Sequence, residues 1–305
     1  MRLGNGSFTF IKGNNTVLCI WVSVSASFLN FENMHSEKTT IITVENHILQ
    51  SKILSRDVKV DCYFPSQHNL SASTSLLLIN DGQDLVTMQF DEILEAVSDA
   101  INPLFCVGIH CSEDRKNEYG TANILDYKGR GAKALLYTRF VFEELLPFLR
   151  KTYSIQSFKE KSFAGFSLGG LSALDIVWNN PQEFKNVGIF SGSFWWRDKD
   201  QDEPDFNENT DRIMHRQIKE GNYAPWLKFF FEVGTMDETA DRNNNGIIDS
   251  IDDALNLIDE LVAKGYSRHN DIKYLELNEG KHDVPTWASA FPEFLRWGWG
   301  NAQER

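Results

Sequence analysis

Short apolar stretches and longer amphipathic segments alternate over most of this 305-residue chain. Residues 57–65 (DVKVDCYFP) alternate between apolar and polar side chains, which is typical of a strand with one buried face. Residues 74–81 (TSLLLIND) and 104–111 (LFCVGIHC) are continuous apolar runs, and such runs fit strands that are covered on both faces. The pattern therefore predicts at least three strands before the middle of the chain.

Apolar residues spaced three and four positions apart occur between and after these strands, and this spacing predicts helices. The predicted helices cover residues 88–100, 131–154 and 251–265, with one more opening at Gly169 and a last one from about Val284. Further strands are predicted at residues 186–192, 227–235 and 272–280. Because strands and helices alternate, we expect an α/β fold with a mostly parallel central sheet and helices on both faces.

The N-terminal segment allows two interpretations. Residues 16–28 (TVLCIWVSVSASF) resemble the apolar part of a signal peptide and are short for a membrane span. Either residues 1–33 are an export signal and the protein is exported to the periplasm, or they are a leader and a cytoplasmic protein starts near Met34. We predict a single domain over residues 34–305, with the polar residues 197–211 as a surface insertion or lid entrance.

Charge and cysteine content exclude some classes of function. The formal net charge of −13 argues against nucleic acid as the main partner and against binding to an anionic membrane surface. We interpret the four cysteines, Cys19, Cys62, Cys106 and Cys111, as small buried apolar residues. A bridge between Cys106 and Cys111 is disfavoured if both lie in one strand, and a chain of this length needs no disulfide framework.

The stretch KSFAGFSLGG, residues 161–170, places one serine among several glycines where a strand meets a helix. Gly165, Ser167 and Gly169 form the pattern Gly-x-Ser-x-Gly, which at a strand-to-helix turn is the nucleophile elbow of serine hydrolases. A glycine-rich turn with an incidental serine is the alternative. The strand–turn–helix context favours Ser167 as a nucleophile.

A serine hydroxyl needs a base, and the base needs an acid that orients it. Three histidines follow Ser167, and we predict His282 as the base because it lies between the last strand and the last helix. His269 precedes that strand, and His215 lies in the predicted insertion. Asp237 follows the strand at residues 227–235 and is the preferred acid.

Other carboxylates near Asp237 remain rivals for the acid. Glu238 and Asp241 lie in the same loop, whereas Glu232 is expected to lie within the strand. Stabilising the oxyanion of an acyl-transfer intermediate takes two backbone N–H donors. We predict these donors at Leu168, directly after the nucleophile, and at Gln83, in the glycine turn after the second strand.

Several segments together resemble one family. The blocks LLLINDGQD, GIHCSEDRKNEYG, FEELLPFLRKTYSI, FAGFSLGGLSALDIVWNNPQEF, SGSFWW, FFFEVGTMDE and EGKHDVPTW are similar, in order, to those of the Putative esterase family of α/β-hydrolases. That family includes enterochelin-esterase-like enzymes, feruloyl and acetylxylan esterases, S-formylglutathione hydrolase and mycolyltransferases. The resemblance spans residues 58–299 and implies an α/β-hydrolase fold with Ser167, Asp237 and His282 as the triad.

The resemblance also implies residues that form the substrate site. Arg115, Glu118 and Tyr119 are expected to shape the loop beside the nucleophile, and Trp195 and Trp196 to line the site. The alternative for the two tryptophans is core packing. An aromatic pair at this position would suit an aromatic acyl group or a sugar ring.

Residues 241–252 (DRNNNGIIDSID) have the spacing of a calcium-binding loop, with oxygen-bearing residues at positions 1, 3, 5, 9 and 12 and glycine at position 6. The predicted ligands are Asp241, Asn243, Asn245, Asp249, Asp252 and the carbonyl of Ile247. An entering helix is not evident, and position 12 is aspartate rather than the usual glutamate. The alternative is a surface turn rich in Asp and Asn; an occupied site would pin the segment that carries Asp237.

These observations predict a serine hydrolase that cleaves small-molecule or saccharide carboxylic esters through an acyl-enzyme and needs no cofactor for catalysis. One alternative is acyl transfer to a sugar or thiol on the same fold. The other is a non-catalytic carbohydrate- or calcium-binding module on a hydrolase scaffold. The sequence specifies no oligomeric state.

Overall fold

An eight-stranded sheet forms the centre of the protein in a computed structural model that describes residues 40–67 and 69–301. All of the described residues belong to one compact unit. The hypotheses about residues 1–33, including Cys19, concern residues outside the described part, and the predicted domain boundary there stays a prediction. Over the described residues the expected α/β fold with a mostly parallel central sheet is confirmed.

The strands, in chain order, are β1 Ile42–Ser51, β2 Arg56–Pro65, β3 Ser75–Asn80, β4 Leu104–Ile109, β5 Lys161–Phe166, β6 Asn186–Phe190, β7 Lys228–Met236 and β8 Ile272–Lys281. Their order across the sheet is β1-β2-β4-β3-β5-β6-β7-β8. The six strands from β4 to β8 across the sheet are parallel to one another, whereas β2 pairs antiparallel with both β1 and β4. The carboxyl ends of the parallel strands therefore meet at one edge of the sheet.

The α-helices are α1 Gly82–Thr87, α2 Phe90–Val97, α3 Arg115–Glu118, α4 Ala134–Phe140, α5 Leu146–Thr152, α6 Leu168–Asn179, α7 Glu208–Asp211, α8 Ile213–Glu220, α9 Asp249–Lys264 and α10 Val284–Trp299. A π-helical turn, Val141–Leu145, joins α4 to α5, and a 3₁₀ turn, Pro181–Glu183, follows α6. The long amphipathic segment predicted at residues 131–154 is thus one nearly continuous helical stretch. The described helices include none that is long and apolar enough to cross a membrane.

Two apolar layers enclose the sheet. Residues of α4, α5, α6, α8 and α9 pack on one face, and residues of α1, α2 and α10 pack on the other. Strands β3, β4 and β6 are buried along their whole length, which explains why they are continuous apolar runs. Cys62 and Cys106 are buried as expected, whereas Cys111 is only partly buried, and all three are free thiols.

The sequence pattern did not predict strand β1. Its residues, ITVENHILQS, are mostly exposed or half-buried, because β1 is an edge strand that pairs only with β2. An edge strand buries little, so its residues need not show a strong apolar alternation. The short helices α1, α3, α7 and α8 were likewise not predicted.

A close contact between β6 and α10 tests the packing of the second layer. A Cβ atom at Gly188 would lie 2.6 to 2.9 Å from the ring of Phe294, which is fully buried. We expect Gly188→Ala to lower the free energy of unfolding by about 1–3 kcal/mol through overpacking. Urea denaturation of the variant and the wild type measures the difference.

Gly298→Ala is the matched control. Its Cβ atom would lie 3.7 Å from Asn186 Nδ2, an ordinary contact, and Gly298 lies in α10. We expect its stability to equal or exceed that of the wild type, because alanine is the better helix former by about 1 kcal/mol. Equal losses in the two variants would contradict the packing argument.

Candidate active site

Ser167 lies between β5 and α6 with φ 54° and ψ −123°, a backbone conformation that L-residues rarely adopt. The turn is tight enough to require glycine on both sides. A Cβ atom at Gly165 would lie 2.3 Å from the carbonyl oxygen of Gly169, and one at Gly169 would lie 2.4 Å from Asp81 Oδ2. The glycines noted in the sequence therefore permit a strained turn that presents Ser167 at the carboxyl edge of the sheet.

The hydroxyl of Ser167 is partly exposed at the first turn of α6. Its Oγ lies 3.3 Å from Ser193 Oγ, and the N–H of Ser193 donates to the carbonyl oxygen of Ser167 at 3.2 Å. The loop after β6 is thus bonded directly to the nucleophile turn. The sequence contained a signal for this loop in the block SGSFWW, but its serines were not assigned a role.

His282 and Asp237 come together at the ends of the next two strands. His282 Nδ1 lies 3.3 Å from Asp237 Oδ2, and the Asp237 carboxylate is fully buried, whereas 40% of the imidazole is exposed. A carboxylate only accepts hydrogen bonds, so Nδ1–H donates and Nε2 carries the free lone pair. This is the arrangement that a base and its orienting acid require.

A second serine and a tryptophan hold the acid and the base in place. Ser191 Oγ donates to Asp237 Oδ1 at 3.0 Å, and Trp287 Nε1–H donates to Ser191 Oγ at 2.9 Å. The His282 ring meets the Trp287 ring edge-on, with centroids 5.4 Å apart. Sequence reasoning missed Ser191 and Trp287, because only the folded sheet brings the ends of β6 and β7 and the start of α10 together.

The rival acids and bases contact other groups. Asp241 accepts backbone N–H groups of its own loop, and Glu238 has no hydrogen bond to His282. His215 is buried on α8, where its Nε2 lies 2.9 Å from the Asp253 carbonyl oxygen and burial lowers its pKa well below the usual value. Among the described residues Asp237 is the only carboxylate that is hydrogen-bonded to the His282 ring.

Ser167 and His282, the predicted nucleophile and base, are not hydrogen-bonded to each other in this structure. Within the described part of the chain, no hydrogen bond joins Ser167 to His282, and the hydroxyl pairs with Ser193 instead. The hydrogen bond between His282 and Asp237 is therefore formed, whereas the third hydrogen bond of a triad, between Ser167 and His282, is not. The triad of Ser167, Asp237 and His282 stays a prediction at this point.

Two backbone amides at this edge lack an acceptor. Leu168 is the first residue of α6 and Gln83 the second residue of α1, and neither N–H donates to a group in the described residues. Helix N-termini leave such N–H groups free and favour negative charge nearby. Both amides are therefore available to an oxyanion.

The five residues expected at the substrate site differ in burial and in their ion-pair partners. Arg115 forms a two-point ion pair with Asp81, and Glu118 is buried and ion-paired with Arg56. Tyr119 and Trp196 are fully buried. Only Trp195 of the aromatic pair is partly exposed, so the alternative of core packing describes Trp196.

A guanidinium group covers the two tryptophans. Arg130 Cζ lies 5.0 Å from the Trp195 ring centroid and 5.1 Å from that of Trp196. Asp126 accepts Arg130 Nε–H at 2.6 Å, which fixes the cation in this position. The half-buried Trp195 therefore offers an aromatic surface on the loop after β6, and the cation beside it is neutralised by Asp126.

Comparison with known proteins places this site in a family. The sequence model described as "Putative esterase" matches residues 51–297, which is more than half of the chain. The chain belongs to this esterase family. The family expected from the sequence blocks is therefore confirmed.

Three relatives illustrate the likeness. The chain is 28% identical over 163 residues to the iron(III) enterobactin esterase of Dickeya dadantii, covering 52% of this chain and 34% of that protein. The enterobactin esterase FES of Shigella flexneri superposes with a TM-score of 0.60 at 19% identity over 83% of this chain and 58% of that one. Siderophore hydrolase EstB of Aspergillus nidulans superposes with a TM-score of 0.60 at 17% identity over 83% of this chain and 94% of that one. The two structures support the fold.

This esterase chain is shorter than some of its relatives. It spans about a third of the Dickeya enterobactin esterase and somewhat over half of the Shigella one. The part that matches the family model, residues 51–297, includes every strand from β2 to β8 and the turns that carry Ser167, Asp237 and His282.

The structure does not support calcium in the loop at residues 241–252. Asp252 Oδ2 accepts the side-chain amides of Asn243 and Asn245 at 2.8 and 2.7 Å, and Asp241 accepts two backbone N–H groups. Asp249 accepts the N–H of Arg242 at 2.9 Å. The loop's oxygens are thus satisfied by N–H donors, and the described residues contain no group of three or more Asp, Glu, His or Cys that could hold a metal.

A second carboxyl group lies beneath the acid. Glu232, in β7 as expected, is fully buried, and neither of its carboxyl oxygens has a hydrogen-bond partner among the described residues. Burial, followed by the negative charge of Asp237, raises the pKa of Glu232 to about 8. At neutral pH the folded protein therefore holds Glu232 protonated.

This pKa predicts how stability depends on pH. Between pH 4.5, the ordinary pKa of the group, and about 8, the unfolded chain has lost the Glu232 proton while the folded protein keeps it. As the pH rises through this range, the free energy of unfolding of the wild type should therefore fall, relative to that of Glu232→Gln, by about 1.4 kcal/mol per pH unit. Urea denaturation of both proteins at several pH values tests this.

The control is Glu220→Gln at the exposed end of α8. The difference in free energy of unfolding between this variant and the wild type should not change across the same pH range. A pH-independent difference for Glu232→Gln as well would refute the raised pKa.

Proposed function

We propose that this protein hydrolyses carboxylic esters with Ser167 as nucleophile, His282 as general base and Asp237 as the acid that orients it. One observation carries the proposal. The strained Ser167 turn at the start of α6 stands at the same sheet edge as a buried carboxylate already bonded to the Nδ1 side of a histidine. Membership of the esterase family and the likeness to the enterobactin esterase of Dickeya dadantii support ester hydrolysis.

The reaction follows from this geometry. On substrate binding the Ser167 hydroxyl turns from Ser193 towards His282, as catalytic hydrogen bonds often tighten only in the complex. Nε2 accepts the hydroxyl proton while Oγ bonds to the ester carbonyl carbon. The imidazolium then gives that proton to the departing alcohol oxygen as the carbon–oxygen bond breaks. Water, deprotonated by the same nitrogen, resolves the acyl-enzyme and frees Ser167.

The negative charge of each tetrahedral intermediate needs donors that are already in place. The N–H groups of Leu168 and Gln83 supply them in this proposal, because both amides are free and lie at helix N-termini. Losing one such donor commonly costs about a hundredfold to a thousandfold in kcat.

The site's surface favours esters of aromatic acids. Trp195 offers a partly exposed ring on which a flat aromatic acyl group could stack, and the Arg130 guanidinium beside it is already paired with Asp126. The names of the similar proteins include enterobactin esterase and siderophore hydrolase. We therefore include catecholate and feruloyl esters in the proposed substrate class, beside simple acetyl and butyryl esters.

Ser167→Ala tests the nucleophile. We expect the variant to lose several orders of magnitude of kcat/KM on a panel of acetyl, butyryl, feruloyl and catecholate esters. Steady-state kinetics measures the loss, and a fluorophosphonate should label the wild type but not the variant. Ser289→Ala removes an exposed hydroxyl from α10 and should keep full activity and labelling. Wild-type protein without activity or label would rule out a serine hydrolase.

Asp237→Asn tests the acid. An amide at this position would no longer hold the Nδ1–H tautomer, and kcat should fall by about 10²- to 10⁴-fold. Glu238→Gln changes the adjacent carboxylate, which is not bonded to His282, and should keep kcat within about threefold of the wild type. The reverse ranking of the two variants, measured by steady-state kinetics, would assign the acid to Glu238.

A further inference from the structure

Asp81 has an unusual conformation beside the site. It precedes Gly82 and Gln83 directly, and it lies in the left-handed region at φ 58° and ψ 45°. It is 1% exposed, so its carboxylate is almost completely removed from water. A non-glycine residue held in this region, with a buried charge, persists only where its surroundings fix it.

Arg115 provides that fixation. Its Nε and Nη2 donate to the two oxygens of Asp81, each at 2.7 Å, and Nη2 also donates to the carbonyl oxygen of Phe166 at 3.2 Å. Phe166 immediately precedes Ser167. A single guanidinium group is therefore bonded both to the turn after β3 and to the nucleophile turn after β5.

The carboxylate of Asp81 also contacts the start of α6. Its Oδ2 lies so near to the Cα of Gly169 that a Cβ there would be 2.4 Å from it. Asn80 adds a parallel link, because its side-chain amide donates to the carbonyl oxygen of Gly169 at 2.7 Å. The Asp81 backbone N–H donates to Tyr119 Oη at 3.1 Å, so the buried Tyr119 also contacts the loop after β3.

We propose that the Arg115–Asp81 ion pair is a positioning unit that sets the separation of the two oxyanion donors, Gln83 N–H and Leu168 N–H. This inference rests on the proposed ester hydrolysis. Gln83 lies two residues after Asp81, and Leu168 lies two residues after Phe166. The one guanidinium group is therefore bonded to the segment that carries each donor. A donor displaced by about 1 Å can cost about a hundredfold in rate.

The geometry distinguishes this role from direct substrate binding by Arg115. Two of its three nitrogens, Nε and Nη2, are engaged by Asp81 and Phe166, and only 28% of the side chain is exposed. A cation committed to a buried carboxylate has little charge to offer a substrate anion. Arg115 should therefore affect the rate for every ester, not the affinity for charged ones.

The experiment compares Arg115→Met with the wild type on two neutral esters, p-nitrophenyl acetate and p-nitrophenyl butyrate. We expect kcat to fall about 10- to 100-fold on both, with KM within about threefold, because the loss is confined to the transition state. Labelling by a neutral fluorophosphonate should slow by a similar factor. The pH profile of kcat/KM should keep its midpoint, because His282 and Asp237 are not altered.

Arg56→Met is the matched control. Arg56 also forms a two-point ion pair with a carboxylate that is 1% exposed, Glu118, at 2.7 and 2.6 Å. Removing either arginine leaves a buried carboxylate unpaired, so both variants should lose thermal stability. Only Arg115 contacts the nucleophile turn, so Arg56→Met should keep kcat within about threefold of the wild type. If Arg115→Met does not fold, Arg115→Lys, which keeps the charge without the planar fork, replaces it.

Each outcome decides between the explanations. A raised KM with unchanged kcat would make Arg115 a substrate-binding residue and overturn the proposal. Equal losses of kcat in Arg56→Met and Arg115→Met would reduce the ion pair to a folding role and overturn it too. Wild-type protein that neither hydrolyses the esters nor is labelled at Ser167 would instead overturn the proposed function itself, and with it any catalytic role of the pair.

Discussion

The close approach of three backbone segments around Ser167 is the constraint on which the site depends. Gly165 approaches the backbone of the first turn of α6 so closely that only a hydrogen atom fits there, and the Asp81 carboxylate fills the space that a Cβ of Gly169 would need. The strained conformation of Ser167 is held by the β5–β6 pairing below it and by the bond from its own N–H to Phe190 at 2.8 Å. Rigid strands therefore sustain a conformation that an isolated peptide would leave.

Three buried carboxyl groups near this turn differ in their hydrogen-bond and ion-pair partners. Asp237 is buried but bonded to Ser191 and His282, Asp81 is buried but bonded to Arg115, and Glu232 is buried without a partner and stays protonated at neutral pH. Each carboxyl group thus has a different environment within one region of the sheet edge. Of the three, Asp237 is the carboxyl group that is hydrogen-bonded to the His282 imidazole.

Much of the fold could be read from local patterns. Buried parallel strands such as β3, β4 and β6 are continuous apolar runs, and the amphipathic spacing predicted α2, the α4–α5 stretch, α9 and α10. The edge strand β1 was missed because few of its side chains are buried. The spacing at residues 241–252 suggested a calcium site that the folded loop does not support. Such spacing describes where oxygens lie along the chain, but not which N–H groups satisfy them.

The sequence by itself determined the glycine-flanked turn at Ser167, the succession of strands and helices along the chain, and the family, because glycine requirements and apolar runs are local properties. Tertiary structure decided the contacts between residues far apart in the chain: Asp237 with His282, Ser191 with Trp287, and Arg115 with both Asp81 and Phe166. It also decided that Tyr119 and Trp196 are buried, whereas Trp195 is partly exposed. These contacts depend on which strands lie side by side, and strand order across a sheet is not encoded in any single segment.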